Sequence, residues 1–459
     1  MAFDTVARER VHLQTSETSS SPLRQSITFL LLCAVILPAI VAFAILQRRS
    51  LPVPYQDDYN AILNFAIRYN QLPTSTAKMM QVATAQHNEY KLVFEHLLFV
   101  SELSLTHHLN FAFLTTVGNL FLLPIGYLLW RTYQGDEKEL YQRLLGFLPI
   151  SLLFFSLTYW ETLNWAMTSL QQLPVVFFSL LSIYLLFEKE ASGVTPFRLF
   201  LACFAAVLAC CSSANGFLLL PVGLLILIPR RAYVQSLGWA ASFVLPLVAY
   251  LYRYSPAPDE HSHRTAYYTR PLEFLAVLGG VFPFRTVAAL AGLAMLGVIG
   301  LAIRSRFDRT NPVSFYFTLW VVGTASMIGW VRGVDFFGHS SRYTMYSLLM
   351  LIFCYAFFSH VLRERGSKFN VRRFYAASVV FAVIVCVFGD IWADKKLEAR
   401  RQMVFTGLEF YRSNPAVNSP MIDPAVERVF KQEKPLEKAA LTEAIQTGIF
   451  TLPPRLEVH

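Results

Sequence analysis

Apolar residues in this chain come in blocks of about 14 to 23, set apart by short connectors rich in Arg and Lys. The blocks lie near 26–46, 109–130, 144–160, 166–187, 199–212, 216–229, 236–252, 286–303, 313–331, 343–361 and 374–391. Blocks of that length predict membrane helices, because hydrocarbon tolerates a chain only where every backbone polar group is bonded within its own helix. The pattern therefore predicts an all-α polytopic membrane protein with about 11 transmembrane helices. Between residues 199 and 229 the turn signal Ser212-Ser-Ala-Asn-Gly216 splits one apolar run into two short helices.

The basic connectors set an expected orientation. Arg131, Lys138 and Arg143, then Lys189 and Arg198, then Arg230 and Arg231, then Arg304, Arg306 and Arg309, then Arg363 to Arg373 fall on alternate connectors, as the positive-inside bias requires. On that count residues 1–25 form a polar, disordered cytoplasmic N-terminus, and residues 26–391 form the membrane domain. Residues 47–108 are a large first outward loop, 253–285 a second and 332–342 a third. Residues 392–459 form a small helical tail outside the cytoplasm, with helices expected over Trp392–Tyr411 and Leu436–Gln446 around a Pro-rich break. The implied location is a bacterial inner membrane.

Composition agrees: 55% of the residues are apolar and only 15% charged, where soluble domains carry about 25%. The formal charge of +9 lies in the connectors and not in a basic stripe interleaved with aromatics, so nucleic acid is excluded as a partner. All six cysteines sit inside apolar blocks, which predicts small packing residues and excludes loop disulfides.

Candidate chemistry gathers on the outward segments. The first loop opens Leu51-Pro-Val-Pro-Tyr-Gln-Asp-Asp-Tyr-Asn60, and Asp57 and Asp58 are followed by Tyr59, Ile62, Leu63 and Ala66 at helical spacing. Two adjacent carboxylates suit a general base or a divalent-cation site, and a helix cap accounts for only one of them. Further on, Gln86-His-Asn-Glu-Tyr-Lys-Leu-Val-Phe-Glu-His-Leu-Leu98 predicts a helix carrying His87, Lys91 and Glu95 on one side, with a Lys91–Glu95 pair, and Glu89 and His96 on another. His261-Ser-His263, Tyr267, Tyr268 and Arg270 mark the second loop, and Arg342 stands at the mouth of a late helix as an interface anchor or a phosphate fork. Glu161 and Asp390 read as ordinary polarity at span ends. A Walker A motif, a dinucleotide fingerprint and charges at mid-span are all lacking.

These residues resemble bacterial glycosyltransferases of the GT-C fold. The likeness is carried by Asp57-Asp58 with Tyr59 after the first span, by His87-Asn-Glu-Tyr-Lys-Leu-Val-Phe94, by Ser341-Arg-Tyr343 and by the soluble tail. It implies sugar transfer on the outer face from a polyprenyl-phosphate donor to a glycan or lipid-linked acceptor. Asp57, Asp58 and Glu89 would be the catalytic acids, and Arg342, Lys91, His87 and Arg270 the donor-phosphate ligands. A magnesium or manganese ion on Asp57 and Asp58 is an alternative partner for the phosphate. Competing expectations are a flippase or transporter of lipid-linked saccharides and a surface-polysaccharide polymerase or ligase.

Overall fold

The computed structural model describes residues 22–133, 139–187, 194–255, 269–332, 341–364, 368–413 and 438–453. Among them the chain is helical, and the one extended pairing is an isolated bridge between His87 and Tyr90. In chain order come α1 (Pro22–Arg49), α2 (Asn64–Gln71), α3 (Ser75–Thr84), α4 (Val93–Thr106), α5 (Phe111–Thr132), α6 (Leu140–Phe154), α7 (Ala166–Leu186), α8 (Pro196–Ser212) and α9 (Leu219–Leu227). They are followed by α10 (Tyr233–Leu251), α11 (Arg270–Leu278), α12 (Arg285–Arg304), α13 (Pro312–Arg332), α14 (Thr344–Glu364), α15 (Lys368–Ser413) and α16 (Lys438–Gln446).

Nine helices among the described residues are long and apolar enough to cross a membrane. The two shorter apolar helices, Pro196–Ser212 and Ala214–Arg230, fall on the two short blocks of the sequence. Leu30, Ile40, Leu293 and Phe388 point outward and are exposed, an arrangement that hydrocarbon satisfies and water does not. The chain is thus a helical, multi-pass membrane protein.

The central helix is α7, buried along most of its length and packed between α5 and α8. Its interior residues include Leu170, Leu173, Val176, Leu180 and Ile183, at three- and four-residue steps. Beyond one end of this bundle lies a second core, built from residues of the first loop between Leu51 and Leu103, Leu109 and the start of α5, the start of α7, and Val404, Leu408, Leu441, Ala444, Ile449 and Phe450. The tail is therefore part of the first loop's module and not an appendage. Leu109 donates its N–H to the Ile449 carbonyl at 2.8 Å, and Phe111 meets Phe450 edge-on at 6.0 Å. At nine residues α16 is too short to be stable alone, so this packing is what holds it.

The expected tail helix over Trp392–Tyr411 is the continuation of the last span. As one helix of 46 residues, α15 reaches roughly 70 Å at 1.5 Å per residue, and so carries its outer half into the second core. The Pro-rich stretch 414–424 lies outside the described residues.

The expected break after α8 is present. Ser213 is extended, at φ −163° and ψ 154°, and Gly216 brings its backbone against the last turn of α8. A Cβ on Gly216 would stand 2.4 Å from the carbonyl carbon of Ala209 and 2.5 Å from the Cys210 nitrogen, closer than side chains pack. Replacing Gly216 by Ala is expected to lower stability by about 1–3 kcal/mol through overpacking, read as a lower melting temperature in detergent. An unchanged melting curve would contradict the close approach.

Candidate functional site

The two aspartates have different surroundings. Asp58 is 1% exposed and accepts three hydrogen bonds: from the Tyr55 N–H at 3.0 Å, from the Trp165 indole N–H at 3.0 Å and from the Met167 N–H at 2.9 Å. Met167 is in the first turn of α7, so Asp58 supplies a carboxylate to the start of a helix distant in sequence, where unpaired N–H groups and the helix dipole favour negative charge. The Asp58 side chain does not cap the helix that follows it. That segment opens as a π-helical turn, Tyr59–Leu63, with no side-chain cap at Asp58, and the Asp57 carbonyl accepts from Asn60 and Ala61.

Asp57 faces the other way. Its side chain is 17% exposed, and its Oδ1 lies 3.9 Å from Nε2 of His87. His87 lines a cavity of about 250 Å³ together with Asn60, Asn64, Arg68 and Gln81. This pairing arises because residues 86–92 are not the helix their spacing predicts. His87 and Tyr90 exchange backbone hydrogen bonds at 2.9 Å in a tight turn, Asn88 takes φ +48°, and α4 starts only at Val93. The reason lies in tertiary bonds. Lys91 donates to the carbonyls of Ala249 (3.1 Å) and Tyr252, capping the end of α10. The Tyr250 hydroxyl donates to the Glu89 carbonyl, and Gln86 bonds Ser255 in both directions. The ladder of His87, Lys91 and Glu95 and the Lys91–Glu95 pair therefore do not form. Lys91 serves a helix end, where a cation is favoured, and its burial lowers its pKa.

Behind Asp58 two arginines alternate with aromatic rings. The Arg342 guanidinium sits 5.1 Å from the Trp165 ring centroid, on the indole whose N–H binds Asp58. The turn Ser341–Tyr343 is pinned there. The Arg342 N–H donates to Glu161 Oε2 at 3.1 Å, Thr162 Oγ1 donates to the Arg342 carbonyl at 3.0 Å, and the Glu161 N–H donates to Ser341 Oγ at 3.1 Å. Glu161 thus holds Arg342 in place and is more than loop polarity. Asp390 likewise has a partner, accepting from the Leu157 N–H at 2.6 Å.

Tyr55 meets Trp165 edge-on at 5.6 Å and carries Arg400 over its other side at 3.8 Å. Arg400 also lies 4.7 Å from Trp160 and donates to the Asn164 carbonyl at 3.0 Å. It is 4% exposed, and its Nε and Nη2 find no partner among the described residues. Such cation–π contacts contribute about 0.5–1 kcal/mol each at exposed sites and about 2 kcal/mol when desolvated. Next to them Arg49, at the end of α1, pairs with Asp394 (2.7 Å) and Glu398 of α15 and so lashes the first span to the last.

Arg400 escaped the sequence reading although a signal was there. It takes the i+7 place in the buried stripe Ala393, Leu397, Val404 and Leu408, and a charge on an apolar stripe is informative. Glu95 gave the same signal. It is fully buried on α4, neither of its oxygens has a hydrogen-bond partner among the described residues, and burial together with the charges of Asp58 and Asp57 raises its pKa well above the ordinary carboxylate value. Burial also pushes Asp58 up to about 7, against the pull of its hydrogen bonds, and Glu102 up to about 7. Burial lowers His96 to about 4, so this ring is neutral and donates from Nδ1 to the Val82 carbonyl at 2.9 Å.

Other expected site residues are elsewhere. Arg270 stacks over Trp330 at 4.8 Å, on the helix whose Glu273 pairs with Arg285. His261, His263, Tyr267 and Tyr268 lie outside the described residues. Among the described residues no group of three or more His, Cys, Asp or Glu side chains could hold a metal ion. With Asp58 turned to three N–H donors and Asp57 to His87, the pair does not fit the shared magnesium or manganese site.

No protein-family model, no characterised protein and no solved structure matches this chain.

The buried acids and His96 have opposite linkage to pH. A carboxyl raised above its ordinary value stabilises the fold at low pH and loses that contribution as pH rises through its folded pKa. A histidine lowered to about 4 works the other way, adding stability as pH rises toward 6.5. Above pH 6.5 the histidine contribution levels off while Asp58 and Glu102 still titrate, so the melting temperature is expected to fall between pH 6.5 and 8, and Asp58→Asn should make that fall shallower. A melting temperature that rises across this window would contradict the buried acid cluster.

Proposed function

We propose that this protein is a membrane glycosyltransferase that moves a sugar from a polyprenyl-phosphate donor to a glycan or lipid-linked acceptor on the extracytoplasmic face. The observation that carries the reading is the division of labour within Asp57-Asp58: one carboxylate is locked to a helix start, while its neighbour is partly exposed and lies beside His87, a histidine that lines a polar cavity. A base needs access to a hydroxyl, and Asp57 has it.

In the proposed step Asp57 takes the proton of an acceptor hydroxyl. That oxygen forms a bond to the anomeric carbon as the carbon–oxygen bond to phosphate breaks, with inversion. The lipid phosphate leaves with the bonding electrons. Arg342, held on the Trp165 face, and buried Arg400 supply positive charge behind the two acids. Asp58 is a positioning residue: its bonds to Trp165 and Met167 fix the backbone that presents Asp57. The exposed apolar helices suit a donor that arrives laterally from the bilayer.

Translocation of a lipid-linked saccharide is the second reading, favoured by the break between α8 and α9. There Asn215 donates to Tyr346 (3.2 Å) and Thr324 (3.4 Å), Tyr346 donates to Gln172 (2.6 Å), and the Asn215 Oδ1 is unpartnered among the described residues. Such polar groups at a helix discontinuity are features of transport sites.

Assay of purified protein with a polyprenyl-phosphate sugar separates the two. Asp57→Asn should lower transfer about 100- to 10,000-fold at an unchanged melting temperature, the range of general-base catalysis. Asp58→Asn should instead lower the melting temperature first, through loss of about 1–3 kcal/mol of buried hydrogen bonding. Full transfer by Asp57→Asn would remove the base assignment, and lipid movement without release of lipid phosphate would favour translocation.

A further inference from the structure

We infer that the cavity beside His87 is a binding subsite for one neutral sugar ring, the accepting residue of the acceptor. The inference rests on the glycosyltransferase reading for the word acceptor, and on the cavity alone for the sugar. At about 250 Å³ the space is smaller than the roughly 300–1,000 Å³ of drug-sized sites, so it suits one ring and not an oligosaccharide.

Its walls are of the kind that reads hydroxyls. Asn60, Asn64 and Gln81 bring amides, Asn64 Nδ2 donating to Asn60 Oδ1 at 2.8 Å so that the two asparagines form one polar wall, and Arg68 brings donors. Gln81 spends its N–H on the Phe65 carbonyl at 3.3 Å, while its Oε1 is buried and unpartnered among the described residues, an acceptor lacking a donor. His96 donates from Nδ1 to Val82, which leaves Nε2 as a second acceptor. The Phe65 ring, stacked on His96 at 4.2 Å and on Tyr69 at 6.2 Å, adds an apolar, aromatic part to the wall. Arg68, itself exposed, is the one Arg, Lys, Asp or Glu among the lining residues, and His96 is neutral, so the buried wall of the cavity carries no acid and no permanent cation.

Two backbone features point to the same place. The turn that supplies Asn60 and Ala61 is π-helical, and such turns gather at functional sites. Gln56, just before the aspartates, and Asn88, on the cavity wall, hold φ of +46° and +48°, a region that side-chain-bearing residues avoid. The tertiary bonds of Gln86 and Glu89 hold the Asn88 turn open. Asp57 lies 3.9 Å from His87, which lines this cavity.

The test is saturation-transfer NMR on the full chain in phospholipid nanodiscs, with methyl glycosides of glucose, galactose, mannose and N-acetylglucosamine as probes. At least one should bind saturably in the millimolar range. Asn64→Leu or Gln81→Leu should weaken it at least tenfold, and the exposed Arg68→Ala about threefold to tenfold with no change in folding. Asp57→Asn should still bind, which separates this inference from the base assignment. Absence of saturable binding by any glycoside would overturn it, as would binding indifferent to all three cavity variants, or equal competition by inorganic phosphate. Sugar binding without transfer would sink the proposed reaction and leave the subsite standing.

Discussion

The outer module depends on the hydrogen bonds that Asp58 accepts from Trp165 and Met167. One carboxylate joins the first loop to the start of the most buried helix in the bundle, satisfying N–H groups that a helix start leaves open. Everything else at this end is arranged around that joint. Trp165, oriented by Asp58, offers its face to Arg342 and its edge contact to Tyr55, and Tyr55 in turn carries Arg400. Loss of the joint would leave buried donors without an acceptor, which is more damaging than loss of a surface pair.

The same joint explains why two acids stand together. Adjacent carboxylates repel, yet backbone geometry gives them different partners: Asp58 turns inward to α7 and Asp57 toward His87. Burial, together with the charges of Asp58 and Asp57, raises the pKa of Glu95, which opposes a third negative charge in the cluster. Arg400 offsets part of what remains. The C-terminal helix thereby enters the electrostatics of the first loop, a link that only a continuous α15 makes.

Much of the architecture was legible in the chain. Apolar block length names the membrane helices, because the bilayer imposes a length and denies any backbone group a partner outside its helix. The turn at Ser212–Gly216 was visible for the same local reason, since small and polar residues interrupt an apolar run. Tyr59, Ile62, Leu63 and Ala66 are all buried, as their spacing implies. Asp57, Asp58, His87 and Arg342 do gather at one end of the bundle, while Lys91 and Arg270 have other partners.

What the sequence determined by itself is set by periodicity and solvent: helices, their breaks, and the stretches that avoid lipid. What the tertiary structure decided is which polar group meets which. Local spacing predicted a helix over residues 86–98, but Lys91, Glu89 and Gln86 find stronger partners at the end of α10, so the chain turns instead and opens a cavity. Spacing alone also could not rank Asp57 against Asp58, or reveal Arg400 beneath Tyr55, because those outcomes depend on partners 100 to 350 residues away. Buried polar groups take the geometry that satisfies them, and that geometry exists only once the helices have packed.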